Sequence, residues 1–283
     1  MKKIEKFPSR IVLELTPICN LSCKMCPRHY VPLDPIFMPV VLWEKLILEI
    51  RKACPDAVVI PFWRGESLIH PDFCEMINFA LQNGVRVHLS TNGHCWDDIM
   101  VALLYKIEFL TFSIHSDVGF QNAKQFMDNA KDGNNPITQI SFVECEKTAE
   151  KYLPEVIESS NLLGFDSVRL YKEHTIDGNF GSSNQEKSML KRKFCQKLAN
   201  TLVVAADGEV SRCNHLWETE KIFNDEDNSY SIEKIWNSDQ FYDIRTNYPD
   251  TKCSACDQWT GHTLGEVWQY ENGKVTHKVF SNV

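Results

Sequence analysis

Hydrophobic and polar positions follow two alternating periods through the first two-thirds of the chain. Short apolar, β-branched runs at Ile11–Thr16, Ala57–Trp63, Val85–Ser90, Phe109–Ile114, Ile137–Val143 and Ser167–Tyr171 read as strands. Amphipathic stretches between them predict helices near 41–53, 72–83, 96–105, 119–131 and 149–163, several followed by a Gly or Asn able to end a helix. Six such repeats predict an α/β fold, a partial (β/α)6 TIM-type barrel with a parallel sheet and crossover helices. Gly178–Lys187, rich in Gly, Ser and Asn, reads as a linker. Beyond it Thr201–Ala205 and Glu209–Cys213 flank Asp207-Gly208, a hairpin signal, and a helical stretch follows near Ile232 to Arg245. The expected division is a partial barrel over 1–180, a small C-terminal domain over 188–270 and a tail over 271–283.

Composition narrows the partners. A chain of 283 residues that is 43% hydrophobic can bury a large core with a smaller appendage. A net charge of -8 argues against a nucleic-acid partner, whose phosphates need a concentrated basic face, so the expected substrate is a small molecule or a peptide. The N-terminus reaches Pro8 and Glu14 without an apolar run long enough for a signal peptide, and no stretch of about 18 apolar residues is available to span a bilayer. The expectation is a cytoplasmic protein with no membrane partner. Eleven cysteines in a reducing compartment point to metal binding or catalysis rather than disulfides, and seven of them fall into two spaced sets.

Cys19, Cys23 and Cys26 form C-x3-C-x2-C directly after the first predicted strand, so three thiolates can converge from one loop. An electron-transfer 4Fe-4S cluster has four thiolate ligands, and three leave one iron open to a substrate. Zinc is the competing reading, although structural zinc takes four protein ligands and no nearby His or Cys completes the set at finger-like spacing.

With this loop, the chain from about residue 10 to residue 175 resembles the radical S-adenosylmethionine (SAM) superfamily. Arg64-Gly65-Glu66-Ser67 resembles that family's Gly-Gly-Glu-Pro stretch, with Arg64 in place of the first Gly and Ser67 in place of the Pro. Ser90-Thr91-Asn92-Gly93 is similar to its Thr-Asn-Gly turn, Ser113-Ile114-His115 stands where many members have Ser-Ile-Asp, and Gly164–Val168 is similar to its adenine-contacting segment. The resemblance implies a 4Fe-4S cluster on Cys19, Cys23 and Cys26, with SAM on the open iron and contacts from Met25, Gly65, Glu66, Ser90, Asn92, Ser113 and Val168. Glu66 would face the amino group of SAM's methionine part. These residues gather at strand C-termini, where parallel barrels place their functional side chains.

The second set is Cys195 before the hairpin, Cys213 at its end, and the C-x2-C pair Cys253 and Cys256. A four-cysteine zinc ribbon would share this arrangement. It also resembles the twitch domain, the shortened SPASM extension of radical SAM enzymes, which implies one auxiliary 4Fe-4S cluster. A cluster with four thiolates has no open iron, so its useful property is electron transfer, and oxidation is the favoured outcome. The organisation is similar to that of compact superfamily dehydrogenases that oxidise an aminocyclitol alcohol. His115, Glu144, Arg169 and Glu173 are the candidate polar groups for moving a proton or holding an anion. Flavodoxin or ferredoxin is the expected external electron donor. Radical modification of a ribosomal peptide is an alternative, as is epimerisation with Cys95 or Cys145 returning hydrogen, or a non-catalytic metal protein.

Overall fold

The computed structural model describes residues 5–130, 135–173, 194–217, 219, 230–254, 256, 258 and 265–280. The six predicted strands are present as β1 (Arg10–Leu13), β2 (Val58–Ile60), β3 (Arg86–Thr91), β4 (Phe109–Ser113), β5 (Ile137–Val143) and β6 (Ser167–Tyr171), each parallel to the next. Five helices cross between them: α1 (Val40–Ala53), α2 (Phe73–Gln82), α3 (Asp98–Leu104), α4 (Asp117–Asp128) and α5 (Lys147–Glu158). The predicted linker Gly178–Lys187 lies outside the described residues.

Residue spacing explains how the layers meet. In α1 the buried residues are Trp43, Leu46, Ile47 and Ile50, and in α2 they are Phe73, Met76, Ile77 and Ala80, both at the i, i+3, i+4, i+7 spacing of one helix face. Trp43 Nε1 donates to Met76 O at 2.7 Å and ties the two helices together. Asp97 and Ser116 cap α3 and α4 by accepting from Met100 N and Gly119 N. Strand residues divide by the pleat: Val87, Leu89, Leu110, Phe112, Ile140 and Phe142 join the helices in the main core. Their neighbours Ser90, Thr111, Ser113, Ser141 and Val143 turn to the concave side and line a cavity.

The C-terminal third departs from the expected division. The hairpin β7 (Thr201–Val204) and β8 (Val210–Ser211) forms around Asp207-Gly208, but β7 also pairs in parallel with β1. The helical stretch is two helices, α7 (Ile232–Trp236) and α8 (Asp239–Thr246), because Ser238 caps the second by accepting from Phe241 N. Short α6 (Gln196–Asn200) and α9 (Thr251–Ser254) complete the α-helices among the described residues. Residues 271–283 are not a tail as far as they are described. Gly265–Glu271 is β9, antiparallel to β6, and Lys274–Phe280 is β10, antiparallel to β9. The cause is Asn272-Gly273, both at positive φ, a two-residue hairpin turn between alternating strands. The sheet therefore runs β10-β9-β6-β5-β4-β3-β2-β1-β7-β8, with C-terminal strands added at both edges of the six-stranded barrel. Among the described residues no helix is long and apolar enough to cross a membrane.

Candidate active site and auxiliary metal site

The cavity on the concave side has a volume of about 390 Å³ and opens at the C-terminal ends of the parallel strands. The loop after β1 brings Cys19, Cys23, Met25 and Cys26 to its wall. That loop is held by its own backbone, with Cys26 N donating to Cys23 O at 3.0 Å, and by Arg28 Nη2 donating to Leu21 O at 2.7 Å. Asn92 Nδ2 donates to Asn20 Oδ1 at 2.8 Å and fastens the loop to the end of β3. Burial pushes the Cys19 thiol up, and burial with the Glu146 carboxylate and the neighbouring thiols pushes Cys23 up to about 12. Without metal these thiols are neutral near pH 7, so metal loading releases protons. Three soft thiol donors from one loop, beside space for a further ligand, fit an iron–sulfur cluster with an open iron. Cys23, His115 and Glu146 also place one ligand atom each within 4.8 Å of one another.

Gly65 and Glu66 follow β2. A Cβ on Gly65 would stand 2.3 Å from Thr16 O and 2.4 Å from Ile18 O, so only glycine lets this strand end lie against the cysteine loop. Gly65→Ala is expected to lower stability by about 1–3 kcal/mol, the cost of overpacking against backbone, seen as a lower thermal midpoint. Glu66 is buried and accepts from Leu68 N at 3.1 Å, Thr91 Oγ1 at 3.0 Å and Asn92 N at 2.8 Å. Burial raises its pKa against the opposing pull of these three donors. Its carboxylate both lines the cavity and fixes the Thr91-Asn92 turn. Glu66→Ala is expected to weaken SAM binding by about 1.5–3 kcal/mol, the value of a hydrogen bond to a charged group, with iron content near normal. Calorimetric titration with SAM checks this, and unchanged affinity would remove Glu66 from the SAM contacts.

Across β3, β4 and β5, Ser90 Oγ and Ser113 Oγ are 2.9 Å apart and Ser113 Oγ and Ser141 Oγ 3.3 Å, a hydroxyl row along the cavity floor. His115 lines the same cavity, and its Nδ1 lies 2.6 Å from Glu146 Oε2. Glu146, just before α5 and two residues beyond Glu144, reaches His115 only through the fold, so no local pattern in the sequence marks it. Met25, Gly65, Glu66, Ser90, Asn92, Ser113, His115 and Glu173 thus share one cavity. Val168 is fully buried in the main core, Glu144 and Cys145 are exposed, and Arg169 stacks near Tyr171 and Phe280. None of these four lines the cavity, nor does Cys95, whose thiol accepts from Asn20 Nδ2 at 3.2 Å.

The second cysteine set also converges. Cys195 before α6, Cys213 after β8, and Cys253 and Cys256 at α9 line one small apolar cavity with Leu198 and Tyr248. Asp250 pairs with Arg212 and accepts from Cys253 N at 3.0 Å, which sets the C-x2-C turn. Burial, with the Asp250 charge, pushes Cys253 up to about 12, and burial with the other thiols does the same for Cys256. Four thiols in one pocket fit a fully ligated 4Fe-4S cluster. His215 was not singled out from the sequence, yet it lines both cavities.

Comparison with known proteins agrees with this geometry. Residues 13–137 match the radical SAM superfamily and residues 195–257 match the SPASM iron–sulfur cluster-binding domain. The chain is 31% identical over 98 residues to the tungsten-containing aldehyde ferredoxin oxidoreductase cofactor-modifying protein of Pyrococcus furiosus, covering 34% of this chain and 27% of that protein. It is 30% identical over 86 residues to the mycofactocin maturase MftC of Mycobacterium ulcerans, covering 30% of this chain and 23% of the maturase. These matches span less than a third of the relatives' lengths. Its fold is shared with BtrN in complex with AdoMet and 2-DOIA, at TM-score 0.57 and 16% identity over 87% of each chain. Streptococcus suis SuiB bound to precursor peptide SuiA aligns at TM-score 0.65 and 14% identity, over 89% of this chain and 70% of that one.

Proposed function

We propose that this chain, which belongs to the radical SAM superfamily and carries a SPASM-type iron–sulfur domain, oxidises an alcohol of a small polar substrate such as a sugar or aminocyclitol. SAM held at a cluster on Cys19, Cys23 and Cys26 would supply hydrogen-atom abstraction by a 5′-deoxyadenosyl radical, and a cluster on Cys195, Cys213, Cys253 and Cys256 would supply an electron acceptor. The chain's part is to hold and orient. Cys19, Cys23 and Cys26 are the ligands of the first cluster, and Cys195, Cys213, Cys253 and Cys256 those of the second. Glu66 receives the ammonium group of SAM, and the serine row on β3 to β5 offers hydroxyls to the polar parts of SAM and substrate. His115, with Nδ1 engaged by Glu146, exchanges the substrate's hydroxyl proton through Nε2. The strand ends with Asn214, His215 and Trp217 wall the cavity around the space for SAM and substrate.

The observation that carries this reading is His215 on the wall between the two cavities. It makes the four-thiol cavity a neighbour of the cavity we propose for SAM and substrate, where an electron acceptor is useful. The BtrN likeness, covering 87% of each chain, supports a compact enzyme with a small-molecule substrate. Peptide modification is the second reading, favoured by the SuiB complex and by the maturase relative. Epimerisation through Cys95 or Cys145 gains no support, since neither lines the cavity. We assign to the barrel residues 1–180 together with the β9–β10 hairpin, Gly265–Phe280, to the twitch-size domain the segment from 188 up to that hairpin, and reduction of the clusters to a flavodoxin or ferredoxin.

The test is anaerobic incubation of the reconstituted protein with SAM, dithionite and a panel of aminocyclitols, sugars and unstructured peptides. An aminocyclitol or sugar is expected to raise 5′-deoxyadenosine formation and appear as a ketone lacking two hydrogens. Stimulation by peptides alone would overturn the reading in favour of the second.

A further inference from the structure

Arg64 occupies a position that the resemblance gives to glycine, and the structure uses its side chain in a way glycine could not. Its Nε donates to Glu14 Oε1 at 2.8 Å and its Nη2 to Glu14 Oε2 at 2.6 Å, a two-pronged pair with Glu14 fully buried. The same carboxylate accepts from Arg64 N at 3.1 Å and from Ala206 N, in the β7–β8 turn, at 3.2 Å. Arg64 Nη1 reaches Trp217 O at 3.3 Å. Its guanidinium lies 4.0 Å over the Trp63 ring, and Trp63 Nε1 donates to Asn214 O at 2.8 Å.

These contacts converge on one segment. Asn214 to Trp217 follows the auxiliary ligand Cys213, whose sulfur accepts from His215 N at 3.4 Å and whose carbonyl accepts from Leu216 N at 3.2 Å. On the other side, Arg64 is joined directly to Gly65 and Glu66 at the SAM end of the cavity.

We infer that Trp63 and Arg64 brace the 213–217 loop against the end of β2, so that Arg64 is a positioning residue fixing the separation of the two metal sites. The backbone of one motif is held to the backbone that follows a ligand of the other. A buried, doubly bonded ion pair suits this task because it has one geometry, and its ring partner removes the remaining freedom of the guanidinium. The consequence for turnover rests on the oxidation reading, in which the substrate gives up a hydrogen atom, then a proton and an electron, and the electron must cross this wall.

The test uses the holoprotein with both clusters reconstituted. Trp63→Phe removes the donor to Asn214 O while keeping a smaller aromatic ring beside Arg64, and the double variant Glu14→Gln, Arg64→Met removes the pair without leaving a buried charge alone. Both are expected to keep about eight iron atoms. Amides of 205–217 should exchange hydrogen about tenfold faster, the effect of one lost hydrogen bond, while those of β3 to β5 keep their rates. Pulsed EPR of the dithionite-reduced proteins should show the cluster-to-cluster distance spread more broadly than in the unaltered protein. Unchanged exchange and unchanged spread in both variants would overturn the inference, as would faster exchange throughout the chain. An unaltered protein holding only about four irons would contradict the oxidation reading instead, and exchange of 205–217 would still decide whether the brace exists.

Discussion

Replacing Cys19, Cys23 and Cys26 together by alanine is expected to abolish 5′-deoxyadenosine formation and leave about four iron atoms per chain. The three thiols come from one loop, and the auxiliary thiols lie in a separate cavity held by its own Arg212–Asp250 pair. Loss of one set therefore spares the other. The loop's backbone contacts do not involve the sulfur atoms except for Leu21 N to Cys19 Sγ at 3.4 Å, so the barrel should fold without them. Iron and sulfide analysis with chromatography of the SAM products reads both outcomes. Residual cleavage above the no-enzyme background would place the SAM site elsewhere.

Cys253→Ala with Cys256→Ala has the opposite signature: SAM is still cleaved under dithionite, but the ketone from the alcohol identified in the substrate panel falls to background. Both residues are on the short helix α9 and its C-terminal turn, far in sequence from the SAM contacts. With four thiolates the cluster offers substrate no bond, so what disappears with it is an acceptor. Product per 5′-deoxyadenosine is the quantity to measure. A normal ratio would make the second site structural and remove the main support for oxidation.

The six parallel strands were legible because each is an apolar run between amphipathic helices, and β5 and β6 match their predicted bounds residue for residue. The cysteine loop and Gly65-Glu66 were legible for a different reason: their chemistry is carried by residue type and local spacing. Arg169 and Val168 show where that reasoning stops. Val168 falls on the core face of β6, and although Arg169 shares the face of Tyr171, the cavity contact falls to Tyr171 at the C-terminal end of the strand while Arg169 lies beside Tyr171 and Phe280. Glu146 and His215 reach the site through tertiary packing, with no local pattern to mark them. The β9–β10 hairpin is a different kind of omission. Asn272-Gly273 between alternating residues was in the sequence, but its pairing to β6 is a contact across nearly a hundred residues that no short window contains.

The central claim is that this chain binds SAM at a three-thiolate cluster and cleaves it reductively. Its most direct test is to reconstitute the unaltered protein anaerobically with iron and sulfide, reduce it with dithionite in the presence of SAM, and quantify metal and products together. The account predicts about eight irons per chain, an EPR signal of the reduced clusters that changes when SAM is added, and 5′-deoxyadenosine formed with an equal amount of methionine. Zinc in the cysteine sites, or a full iron complement with no 5′-deoxyadenosine, would contradict it.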